Sequence, residues 1–172
     1  MSASDQPQRG PVEEFWEVAR VHARLTNAVP AYFGPSALES LTPPAWAFGS
    51  SPEMADELLA LVLGGTKTAT ASAHAWYTDD RPDDEAAEPL PAQGNLSIVL
   101  DGAGHPRALI SCTSVEVHPF GEISEEHAYL EGEADRSLAS WREIHERFFR
   151  EEGTWAPDML VVCERFKVLH QE

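Results

Sequence analysis

The stretch Gly64-Gly65-Thr66-Lys67-Thr68-Ala69-Thr70 sets one lysine among three threonines, directly behind a glycine pair. A threonine hydroxyl becomes a nucleophile when a neighbouring base takes its proton, and a desolvated lysine can be neutral enough to be that base. Lys67 and Thr70 are three positions apart, so on a regular strand their side chains would face opposite ways. Joint chemistry therefore requires a turn or bulge between them, which the glycine pair can help to provide. The plain alternative is a threonine-rich edge strand with a solvated lysine, and the spacing leaves both open.

Ionisable groups crowd a second stretch, Glu131-Gly132-Glu133-Ala134-Asp135-Arg136-Ser137-Leu138. Asp135 is suited to cap a following helix and Gly132 to close a preceding one. Those local tasks do not need Glu131 or Glu133. A carboxylate facing a buried lysine would hold it charged or orient it. Further on, Trp141, His145 and Phe148 share a helical stripe, which reads as core packing or as a stacking wall for a base. His74 and Tyr77 follow Lys67 closely enough to line the same pocket. Cys112 and Cys163 each lie in an apolar, β-like run with no second ligand at zinc spacing, so both read as buried thiols.

The elements that must carry these residues follow from periodicity and from end signals. Val12, Phe15, Trp16, Ala19 and Ala23 recur at helical spacing, giving a helix from about Pro11 to Thr26. Ser51 and Pro52 open a second helix that runs to Leu63 and ends at Gly64 or Gly65. Residues 29–44 read as an irregular connector and 78–93 as an acidic loop. Strands are expected from Thr66 onward, over 95–100, 107–118 and 159–170, with helices near 124–131 and 135–150. Strands and helices without βαβ alternation indicate an α+β domain with barrel-like character. The resulting division is a disordered leader over 1–10, an N-terminal helix over 11–28 and one domain over 29–172.

Composition narrows the function. The chain has 172 residues with 12 Lys and Arg against 29 Asp and Glu, a net charge of −17. A protein gripping long duplexes through phosphates carries a basic surface, so any nucleic-acid contact should be a local pocket for a base, a nucleoside or a short single strand. The longest apolar run, Leu58 to Leu63, falls far short of the ~18 residues that span a membrane. The first residues lack the basic and apolar regions of a secretory signal, so a cytoplasmic location is expected.

In combination, these segments resemble the ASCH domain family of the PUA-like superfamily, in its longer, mainly bacterial form. The resemblance rests on Gly65-Thr66-Lys67-Thr68-Ala69-Thr70-Ala71-Ser72, the strands around Ser97 and Ala108, Glu131 to Leu138 with Trp141-Arg142 and His145, and the closing Val161 to Phe166. It implies a small β-barrel flanked by helices, with a cleft linked to RNA. One set of relatives implies a divalent-metal-assisted ribonuclease of single-stranded RNA, with Lys67 and Ser137 as functional residues and Mg or Mn held by the acidic cluster. Another implies an amidohydrolase that removes acetyl from the exocyclic amine of cytidine, with Thr70 as nucleophile, neutral Lys67 as base and Glu131 orienting it. Thr68, Tyr77, Arg136 and Trp141 complete the expected substrate-binding set. No organic cofactor is called for. Length and the Asp135-Arg136-Ser137-Leu138 segment put the ribonuclease first, while the full lysine, threonine and glutamate set supports the amidohydrolase. A non-catalytic RNA-binding module acting in translation or transcription is the third reading.

Overall fold

The computed structural model describes residues 10–25, 42–78 and 89–172. The leader apart from Gly10, the last three residues of the expected N-terminal helix (26–28), residues 29–41 of the connector and residues 79–88 of the acidic loop lie outside the described residues. Five strands form one sheet: β1 (Ala45–Trp46), β2 (Ala69–Ala73), β3 (Leu96–Leu100), β4 (Pro106–Pro119) and β5 (Leu160–Gln171), in the order β1-β3-β4-β5-β2. β1 runs parallel to β3, and every other neighbouring pair is antiparallel. The α+β class is as expected. Closure into a barrel is not seen among the described residues, because β1 and β2 form the two edges.

Four α-helices flank the sheet among the described residues: α1 (Pro11–His22), α2 (Pro52–Leu63), α3 (Glu125–Glu131) and α4 (Leu138–Glu151). Strand alternation sends Ile98 and Leu109 to one face, where they bury Phe15, Trp16 and Ala19 of α1. Val99, Ala108 and Ile110 point the other way and pack with Phe48 and with Leu59 and Val62 of α2. A third cluster joins Phe120, Trp141, Phe149 and Val161, and fixes α4 near the far end of the long strands.

Helix ends follow local chemistry. Pro11 opens α1, and the Ser51 hydroxyl accepts from the Met54 amide to cap α2. Gly132 closes α3 at φ 75°, a conformation natural to glycine. Three expectations need correction. α1 stops at His22, before the Thr26 end expected from periodicity, with Arg24 turning to φ 57°. The cap of α4 is Ser137, whose hydroxyl accepts from the Ser140 amide, and Asp135 instead accepts from the Ser137 amide. The fully buried aromatic of the α4 stripe is Phe149, since Phe148 is only half-buried. Cys112 and Cys163 are buried and free. They pair in register with Phe166 and Glu116 and do not face each other.

A candidate active site around Lys67

The backbone first brings two distant segments together. Past α2, Gly65 takes φ 74°, and the amides of Thr66 and Lys67 both donate to the Leu61 carbonyl. The Thr68 amide donates to Leu130 O at 2.8 Å, while Thr68 O accepts from the Phe166 amide at 2.9 Å. Gly132 lies so close to this turn that a Cβ there would sit 2.6 Å from Thr66 O. Residues 66–68 are thereby clamped against the end of α3.

Lys67 precedes the first residue of β2, Ala69, so strand alternation does not govern its relation to Thr70. Both residues line one cavity of ≈ 80 Å³ together with Glu131, Glu133 and His145. The opposite wall is largely apolar, formed by Phe48 and by Met54 and Leu58 of α2, with Phe148 of α4 beside them. The Thr70 hydroxyl makes no hydrogen bond among the described residues, which leaves it free for a ligand.

Lys67 and Glu131 are both 1 % exposed. The ammonium donates to Glu131 Oε2 at 3.0 Å, to Glu133 Oε1 at 2.9 Å and to Glu131 O at 3.4 Å. All three of its protons are therefore engaged. Glu131 also accepts at Oε1 from Trp141 Nε1 at 2.7 Å and from His127 Nε2 at 3.0 Å, and its Oε2 faces His145 Nε2 at 3.4 Å. His145 Nδ1 donates to Trp141 O at 2.9 Å, so both ring nitrogens face acceptors, as an imidazolium requires.

Protonation follows from this arrangement. Burial alone would push the Lys67 ammonium down, but the pull of Glu131 and Glu133 outweighs it and the pKa is raised. Burial likewise raises the Glu131 carboxyl, and Lys67 and His145 overcome that and hold it well below the usual range. His145 is lowered by burial and raised further by Glu131, for a net upward shift. The two carboxylates thus favour the ammonium form of Lys67 in this structure, where a neutral lysine base was expected.

The acidic cluster also bears on Mg or Mn. Glu131, Glu133 and His145 bring three ligand-type atoms within 4.8 Å of one another, the only such group among the described residues. Lys67 already bridges its two carboxylates, and a divalent ion would enter beside that ammonium and a His145 whose pKa is raised. Magnesium moreover takes oxygen ligands and keeps several waters. With Lys67 in place its ammonium already neutralises both carboxylates, and Mg or Mn would have to displace it.

The other residues expected at the site fall elsewhere. Thr68 acts through its backbone in the clamp, and Tyr77 shares a hydrogen bond with Ser72 at 2.9 Å. The Arg136 guanidinium lies over the Tyr129 ring, 3.5 Å from its centre, and Ser137 is the α4 cap. Trp141 is buried, with His145 stacked on it at 4.1 Å, so its face is not a platform for a base. None of these five lines the cavity. Sequence reasoning missed His127 as a member of the network, raised Glu133 beside Glu131 without giving it a role, and left His145 without a partner. The available signal was helical spacing: His127 and Glu131, like Trp141 and His145, are four residues apart and share a helix face.

Comparison with known proteins comes down on one family. The family model described as ASCH domain matches residues 44–170. A solved structure of a protein from Enterococcus faecalis V583 is 35% identical, with 94% of each chain covered and a TM-score of 0.74. The ASCH domain from Lactobacillus crispatus JV V101 is 30% identical, covering 97% of this chain and 99% of its own, also with a TM-score of 0.74. No curated protein matches the chain.

Proposed function

The chain belongs to the ASCH domain family, a PUA-like, RNA-binding family, and on that premise we propose that it is an amidohydrolase removing a small acyl group from the exocyclic amine of a nucleobase. The observation that carries this reading is the convergence of the Lys67–Glu131 pair and the unbonded Thr70 hydroxyl on one small cavity with an apolar wall. Ligand cavities for whole small molecules run from about 300 Å³ upward. A space of ≈ 80 Å³ suits an acetyl group, with the nucleobase remaining at the mouth.

Lys67 first gives a proton to the Glu131–Glu133 carboxylates, and the amine so exposed takes the Thr70 proton as the hydroxyl attacks the acyl carbon. Lys67 is thereby restored as an ammonium, which is present when negative charge gathers on the carbonyl oxygen. The carboxylates return the proton to the departing amine, and water then hydrolyses the acyl-threonine. The products are the free amine and the carboxylic acid. Glu131 positions Lys67, and His127 and Trp141 position Glu131.

The ion-assisted ribonuclease is the weaker reading, because the Ser137 hydroxyl is committed to capping α4 and Lys67 fills the space between the carboxylates. The net charge of −17 also disfavours long RNA substrates. The test is to incubate the purified protein with N4-acetylcytidine and, separately, with labelled single-stranded RNA, with EDTA or with Mg²⁺ and Mn²⁺. Release of cytidine that survives EDTA and disappears in Thr70→Val is the expected result. Ion-dependent RNA cleavage without cytidine release would restore the ribonuclease. Binding of RNA with no product from either substrate would leave a non-catalytic module.

A further inference from the structure

α1 ends on His22, and β5 carries His170 next to its last residue. The two are 148 residues apart in the chain, yet their Nδ1 atoms lie 3.3 Å apart. Packing of α1 on the sheet brings them together. His170 stands opposite Leu109, on the face that buries Phe15, Trp16 and Ala19, and its ring centre is 5.5 Å from that of Phe15. The two imidazoles are tilted by 41° with centres 4.9 Å apart, so they meet through their Nδ1 edges rather than by stacking.

An N–H donor draws its acceptor to about 3.0 Å, and the two rings stand further apart than that. A zinc ion accounts for the spacing. Two nitrogens on zinc arms of about 2.0–2.1 Å, set at the tetrahedral angle, are about 3.3–3.4 Å from each other. Coordination through both Nδ1 atoms leaves the ring protons on Nε2. At His170 that atom is buried, makes no hydrogen bond among the described residues and faces Glu172 Oε1 at 3.7 Å. A carboxylate behind a ligating imidazole is the common outer partner of a zinc-bound histidine. His22 is exposed, so water can serve its Nε2 and an ion can reach the pair from solvent.

We propose that His22 and His170 form a binding site for a transition-metal ion of the zinc class, with water completing its coordination. Imidazole nitrogen suits Zn²⁺, Ni²⁺ and Cu²⁺, whereas Mg²⁺ takes oxygen ligands. The ion staples α1, which precedes the matched residues 44–170, to the last strand of the sheet. Because the two ligands converge only while the helix is seated, binding favours docked α1 over undocked α1. The site shares no residue with the Lys67 cavity and is independent of the amidohydrolase reading.

The experiment titrates zinc chloride into the whole chain, stripped of ions with EDTA and desalted, and follows the imidazole nitrogens by NMR. The Nδ1 signals of His22 and His170 should shift together and saturate at a single ion per chain, with no response to magnesium chloride. With zinc about 100-fold above its dissociation constant, α1 amides that exchange through undocking should slow about 100-fold. His22 is exposed at the helix end, so His22→Gln keeps the fold, and it should abolish both the His170 shift and the slowing. The site is overturned by an unmoved pair, by a shift in one ring alone, by an equal response to magnesium, or by undiminished binding in His22→Gln. Shifts confined to His145 would also overturn it, by placing the ion at the Glu131–Glu133 carboxylates. A saturated pair with unchanged α1 exchange would overturn the staple.

Discussion

Lys67 and Glu131 stand 64 residues apart in the chain and 3.0 Å apart in space, each 1 % exposed. A buried ion pair gains little over apolar packing, but removing one partner strands the other in a medium that cannot solvate it. Lys67→Met should therefore cost about 3–5 kcal/mol in urea denaturation. Glu131→Gln should be costly as well, and the double variant should lose clearly less than the two single losses combined. Additive losses would show that the pair is not coupled.

Thr70 tests the chemistry with little change in packing. Thr70→Val keeps the shape of the side chain and should melt within a few degrees of the parent. Its rate on N4-acetylcytidine should fall on the order of 10³-fold or more, as when a covalent nucleophile is lost. Thr70→Ser should retain part of the activity. A Val variant that turns over normally would exclude a threonine nucleophile.

Ser137 separates the two enzymatic readings. Its hydroxyl accepts from the Ser140 amide at 3.1 Å, so Ser137→Ala should cost about 1 kcal/mol of stability through loss of an N-cap. Activity on acetylated cytidine, assayed well below the melting temperature, should be unchanged. A large catalytic loss with a small stability loss would return Ser137 to the reaction.

Acid stability should depend on Glu131. Its folded pKa lies well below the ordinary 4.5, so the unfolded chain takes up its proton first. The stabilisation is complete above about 4.5 and is lost as the pH falls toward the folded value. Lys67 and His145, shifted upward, act in the opposite sense and lose their contributions on the alkaline side. Melting temperatures between pH 7 and 3 should drop more steeply for the parent than for Glu131→Gln. Parallel curves would contradict the depressed carboxyl.

Local chemistry made much of the fold legible. Pro11, Ser51 with Pro52, and Gly132 mark helix ends that the chain uses, and the long strands lie within one residue of their expected bounds. Capping of α4 was misread because Asp135 and Ser137 are both good caps, and only geometry decides between them. The site was half legible. The Lys67 and Thr70 spacing was visible, but Glu133, His127 and His145 join it only through the clamp between the α2 turn and α3. The charge state of Lys67 was beyond spacing arguments altogether, since it depends on two carboxylates outweighing burial.

Gly132, pressed against the Thr66 carbonyl, has a mechanical consequence. The hydrogen bond from the Thr68 amide to the Leu130 carbonyl and the ion pair from Lys67 to Glu131 join the same two segments, so the floor of the cleft is tied together as one piece. Breathing is left to the walls, where Met54 and Phe148 meet the cavity from separate helices without such ties. Any ligand that fills this cavity has to part those two walls, since the charged residues beneath them are held in place by the clamp.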